Sequence, residues 1–112
     1  MKLAVAHRHG SPLPTDLPRA EMLSVYERRL GRFEIIEERP IPDAMTEPRA
    51  AWVELLHDCQ GIVVRSIPPR ISLELQRNDI FPLSGAGFGP DGLDEALDFL
   101  AACLGFRVKS AA

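Results

Sequence analysis

Short runs of uninterrupted apolar residues alternate along this chain with stretches whose apolar positions recur at helical spacing. Leu3-Ala4-Val5-Ala6 and Gly61-Ile62-Val63-Val64 are apolar without a break and are bounded by polar or turn-forming residues. That is the pattern of strands buried on both faces. Met22 to Glu27 and Phe33 to Glu37 are strand-like as well, and Arg28-Arg29-Leu30-Gly31-Arg32 supplies a glycine-containing loop between them. The pair therefore predicts an antiparallel hairpin, ended by Pro40 and Pro42. Ile80-Phe81-Pro82-Leu83 is a further extended run.

Helical spacing appears in three places. A polar linker over 43–47 leads to a helix from near Pro48, with Trp52, Leu55, Leu56 and Cys59 on one face and Asp58 to Gly61 closing it. Pro68 and Pro69 can open a second helix, whose first turn has no use for their missing N–H groups. Ile67, Ile71 and Leu75 draw its apolar stripe, and Asn78-Asp79 stops it. Asp91 is an N-cap in front of the third helix, and Leu93, Ala96, Leu97, Leu100, Ala101 and Leu104 form its stripe. Gly105 is the expected residue just past its end. Ser11 to Pro18, with three prolines in eight residues, predicts a loop.

The predicted order is β-β-β-α-β-α-β-α. Three strands in a meander, with the last two joining the first in parallel, give an α/β fold: a five-stranded mixed sheet with one antiparallel strand and helices on its faces. This is the ribonuclease H-like arrangement. At 112 residues the chain fits one domain, expected over 1–105 with a tail over 106–112. The net charge of −3 argues against a nucleic-acid footprint, and no apolar run is long enough to span a bilayer. The opening MKLAVAHRHG lacks the character of a signal peptide. Two cysteines, Cys59 and Cys103, make neither a disulfide framework nor a CxxC motif. A reduced cytoplasmic protein is expected.

Candidate chemistry gathers at the carboxyl ends of the central strands, where open α/β sheets bind ligands. His7 and His9 flank Arg8 at the end of the first strand. If the chain stays extended there, both imidazoles leave on one side and could ligate iron or another borderline metal, with Arg8 balancing a cluster's negative charge. A solvated loop is the competing reading. Arg65 and Ser66 end the fourth strand, and Arg65 could pair with an anion. Gly85-Ala86-Gly87-Phe88-Gly89 precedes a helix and is either an anion-attracting loop or a connector. Cys59 offers a thiolate suited to iron, with His57 nearby, but falls at the amino end of its strand, across the sheet from His7. Core packing is the competing reading for Cys59, and for Cys103. The central strands contain no carboxylates, which removes the metal-binding acids of a nuclease. Asp94, Glu95 and Asp98 read as a solvated helix face, and Glu34, Glu37 and Glu38 as a solvated hairpin edge.

The element order, the MKLAVA opening, the RAEMLSVYE strand, the stretch Leu56 to Arg65 and Ile80-Phe81-Pro82-Leu83 resemble a known family over roughly residues 1–104. It comprises the small accessory proteins of nitrogenase cofactor assembly, the NifX, NafY and NifB C-terminal-domain group, with similarity also to AnfO of the iron-only enzyme. The resemblance implies a non-enzymatic carrier, monomeric or weakly dimeric, that transiently holds an iron–sulfur cofactor or its precursor. Its implied partner is a nitrogenase component or cofactor assembly protein, with no nucleic acid or membrane involved. By residue type and position, His7, Arg8, His9, Arg65 and Ser66 are the candidate cofactor-binding residues, with His7, His9 and Cys59 as candidate metal ligands. The family commonly carries a histidine before an Arg-Ala pair ahead of its second strand. Here the segment reads Asp16-Leu17-Pro18-Arg19-Ala20, so that histidine is absent. A protein-interaction module with no ligand is the alternative, and an enzyme using Arg65 as an anion anchor a more distant one.

Overall fold

The structure is a computed structural model that describes residues 1–11, 13–41, 48–85 and 92–111. Its elements are β1 (Lys2–His7), a 3-10 turn (Leu17–Arg19), β2 (Met22–Arg29), β3 (Arg32–Pro40), α1 (Pro48–Leu55), β4 (Gly61–Val64), α2 (Pro69–Arg77), β5 (Phe81–Ser84) and α3 (Gly92–Ala111). The strands form one five-stranded mixed sheet in the order β3-β2-β1-β4-β5. β2 runs antiparallel to β1 and β3, while β1, β4 and β5 are parallel.

Strand composition follows from what covers each face. Leu3, Val5 and Val63 pack under Leu97, Leu100 and Leu104 of α3. Their neighbours Ala4, Ala6, Ile62 and Val64 face the opposite way, toward Trp52, Leu56 and Leu75 on the α1 and α2 side. With helices on both faces, every position from Leu3 to Ala6 and from Ile62 to Val64 is at most 1% exposed, which is why these runs show no alternation. Gly61 permits the closest approach of α3, because a Cβ there would lie 2.9 Å from Leu100 Cδ2 and 3.1 Å from the Phe81 carbonyl.

Several boundaries differ from the sequence expectation. The hairpin has no five-residue loop: Arg29 pairs with Arg32, leaving Leu30-Gly31 as a two-residue turn with φ of 52° and 79°. Both positive angles mark a type I′ turn, whose twist matches the strands it joins. The β2–β3 register shifts opposite Val25/Tyr26, so Tyr26 faces Ile35, Val25 faces Glu37, and Ile36 is the extra residue. This bulge breaks alternation at Ile35-Ile36. Ile36 packs into the α1/α2 core, whereas Ile35 is 53% exposed.

The helix ends have clear causes. α1 stops at Leu55, so Cys59 lies past the helix, its N–H bonded to the Leu56 carbonyl. α2 has Pro69 in its first turn and closes with Asp79 N–H to the Gln76 carbonyl and Ile80 N–H to the Leu75 carbonyl. Asp79 takes a left-handed φ of 59°, and Ile80 and Leu75 are both buried in one cluster. That is a Schellman closure with its apolar contact. α3 does not end at Gly105; it continues to Ala111. Gly105 sits inside a regular helix, where a stripe pattern cannot register an end. The glycine-loop residues 86–89 and Asp91 lie outside the described residues.

Candidate functional site

The carboxyl ends of β1 and β4 are where the sequence pointed, and a chain segment is built into the gap between them. Thr15 N–H donates to the Ala6 carbonyl at 2.9 Å, and Arg65 N–H donates to the Thr15 carbonyl at 3.0 Å. Leu17 N–H donates to the Ser66 carbonyl at 3.0 Å, and the Ser66 hydroxyl donates to Asp16 Oδ1 at 2.7 Å. Pro14 forms a bridge with His7, and Asp16 one with Ser66. The proline-rich loop therefore becomes a strap that extends the sheet, anchored by Leu17 at 1% exposure.

His7 is not a free imidazole. Its Nδ1 lies 3.1 Å from the Arg8 carbonyl and its Nε2 2.7 Å from Ser24 Oγ. A carbonyl only accepts, so Nδ1 carries the hydrogen; in the neutral ring Nε2 then accepts from the Ser24 hydroxyl. Ser24, at 4% exposure, has its hydroxyl satisfied by this bond, as burial requires. Both ring nitrogens are thus committed inside the protein, which corrects the expectation of His7 as a ready ligand.

The His7/His9 pair also departs from the alternation argument. β1 ends at His7, and residues 9 and 10 form a turn with Gly10 at a left-handed φ of 76°. His9 is exposed, and its backbone N–H donates to Glu21 Oε1 at 3.2 Å. Glu21 also accepts from Arg8 Nε at 3.4 Å. These bonds, led by the His9 N–H, hold the Glu21 carboxyl below its ordinary range. The imidazole of His9 itself makes no hydrogen bond among the described residues. Arg65 is exposed, and its guanidinium has no partner among them either.

Cys59 lies elsewhere. It is 3% exposed in the α1/α2 core, and burial, with help from the Asp58 charge, pushes its thiol up to about 11. Its burial among Trp52, Leu56 and Leu75 makes Cys59 a core residue. His57 Nδ1 donates to the Glu54 carbonyl at 2.9 Å. Among the described residues no three His, Cys, Asp or Glu side chains converge as a metal-binding group.

The strongest electrostatic cluster escaped the sequence reading. Arg39 donates to Asp58 Oδ1 and Oδ2, both at 2.8 Å, and to Glu37 Oε2 and the Leu55 carbonyl, both at 2.7 Å. Lys2 Nζ adds a contact to Asp58 at 3.3 Å. The Arg39 bond is the leading cause that holds Asp58 far below the usual carboxylate range, and the Asp58 bond raises Arg39 further. This bidentate pair ties edge strand β3 to the end of α1 and the start of β1. Ser24 and Arg39 each had one local signal: a lone polar residue between Leu23 and Val25, and an arginine at an inward position after the Ile35-Ile36 break.

No family model matches the chain, and no curated protein matches it. Among solved structures, the crystal structure of PH0822 is similar in fold, with a TM-score of 0.67 over 91% of this chain and 92% of that one. At 13% identity the likeness is one of fold alone. No helix among the described residues is long and apolar enough to cross a membrane.

Proposed function

We propose that this chain is a non-enzymatic binding protein with a ribonuclease H-like sheet, of the nitrogenase-accessory type. It takes up an anionic iron–sulfur cofactor or its precursor, of the iron–molybdenum or iron-only kind, as cargo for apo-nitrogenase or an assembly protein. The fold assignment rests on the strand order β3-β2-β1-β4-β5 with β2 antiparallel to its neighbours.

One observation carries the functional reading. At the carboxyl ends of β1 and β4, the exposed side chains of His9 and Arg65 make no hydrogen bond among the described residues, while the Arg65 backbone is held by the strap and the His9 N–H by Glu21. An exposed guanidinium on fixed backbone suits a multiply negative cargo held by charge. His9 is the imidazole free to meet iron, Arg65 supplies a planar guanidinium, and Arg8 adds positive charge. Ser66 and His7 act as positioning residues, through Asp16 and Ser24 respectively. Cys59 takes no part.

Anaerobic titration of the full chain with isolated iron–molybdenum cofactor, followed by its charge-transfer absorption and by native mass spectrometry, tests this. One equivalent should bind, and Arg65→Glu or His9→Ala should weaken binding by about tenfold or more. Absence of binding, or binding that only Cys59→Ala removes, would reject the proposal. A second reading, an interaction module without cargo, is favoured by one separate feature, the fully exposed Leu30 at the hairpin tip.

A further inference from the structure

The turn between β2 and β3 holds a residue that its own geometry disfavours. Leu30 sits at a φ of 52° and is followed by Gly31 at 79°, a turn conformation that Asn, Asp and Gly take most readily. A leucine there crowds its Cβ against the backbone. Among the described residues no packing offsets this, because Leu30 is fully exposed at 104%. Local strain of this kind persists where a residue is used for something besides folding.

The surroundings are organised. Arg28 stacks over the Phe33 ring at 4.9 Å and bonds Asp98 at 3.2 Å, which braces the tip against α3. Arg29 and Arg32 flank the turn and are exposed, with Arg29 in a loose 3.9 Å ion pair to Glu27 of its own strand. Beside the tip is a groove of about 370 Å³ lined by Gly31, Arg32, Phe33, Asp94 and Asp98. The chain carries −3 overall, so the residues outside the three tip arginines carry −6. The carboxylates that match these arginines are in the groove itself, where Asp94 is exposed and Asp98 is bonded by Arg28. A basic, apolar knob beside a groove with two aspartates on one molecule is self-complementary, the condition for an isologous two-fold contact.

We propose that the hairpin tip is a homodimerisation element, in which Leu30 of each copy seats against Phe33 in the other's groove and Arg29 faces the other copy's Asp94. This stands apart from the cofactor reading, since no strand-end residue takes part.

Sedimentation velocity of the full chain from micromolar to millimolar concentration tests it. The expected result is a reversible dimer that Leu30→Asn abolishes while raising Tm by ~5 °C, because asparagine suits the turn. Arg29→Glu and Asp94→Arg should each weaken the dimer about tenfold, and mixing the two variants should restore it, because both halves of the mixed interface then pair opposite charges. A wild type that stays monomeric at millimolar concentration overturns the proposal. So does Leu30→Asn dimerising like wild type, or a mixture of the charge variants that stays monomeric.

Discussion

Two arginines show how differently the same charge is used in this fold. Arg39, in edge strand β3 on the row of Leu23 and Ala6, has 14% side-chain exposure and donates four hydrogen bonds within the protein. Arg65, at the carboxyl end of β4, is exposed and unpartnered among the described residues. The two residues carry the same charge, but one holds elements together and the other is left available. Arg39 has its hydrogen-bond capacity used internally, so an external anion would have to break those bonds first. Arg65 has only water to lose. An electrostatically strong cluster is thus evidence of stapling when its partners are all present, and unspent capacity is the better pointer to binding.

The largest test of that contrast is Arg39→Met. It leaves the Leu55 carbonyl without its side-chain donor and the Asp58 carboxylate with only the longer Lys2 contact, and stability should fall by about 2–3 kcal/mol, measured by urea denaturation. Unchanged stability would mean that the cluster is not a staple.

The same cluster sets a pH dependence. Asp58 and Glu37 are both held below their ordinary range, with the Arg39 hydrogen bond as the leading cause. A carboxyl depressed by folding contributes its stability above the unfolded value and loses it as pH falls toward the folded one. Stability should therefore decline as pH drops below about 5. The decline should be shallower in Arg39→Met, and equal slopes in acid denaturation curves would contradict the assignment.

Ser24→Ala is the next smaller effect. It removes a buried hydroxyl bonded to His7 Nε2, and should cost about 1 kcal/mol. It also frees the ring nitrogen. Tighter Zn²⁺ or Fe²⁺ binding in this variant, read by isothermal titration, would show that Ser24 restrains His7 from ligation. Arg65→Glu should change stability by less than about 0.5 kcal/mol. A larger loss in thermal melts would move Arg65 from the available class to the stapling class.

Legibility from sequence followed the range of the interaction. The runs Leu3 to Ala6 and Ile62 to Val64 announced buried strands because covering helices act on every position alike. Pro69 and Asn78-Asp79 bounded α2 because proline and left-handed caps act within a turn. The hairpin was legible as a pair, although its turn is tighter than the arginine-rich stretch suggested. By contrast, the His7/His9 expectation assumed an extended chain beyond the last paired residue, and Gly10 bends it away. Cys59 looked reactive because composition carries no information about depth.

The sequence by itself determined the alternation of strands and helices and excluded nuclease-type carboxylates from the central strands. It also placed Arg65 at the carboxyl end of β4, where the structure leaves it exposed. Those properties reside in single residues and their near neighbours. Only the tertiary structure decided which groups remain available. Asp16 and Ser66 are 50 residues apart, His7 and Ser24 are 17 apart, and Arg39 and Asp58 are 19 apart. Whether a polar side chain is spent internally or left for a ligand depends on what the folded chain brings within about 3 Å of it, and spacing along the sequence does not contain that.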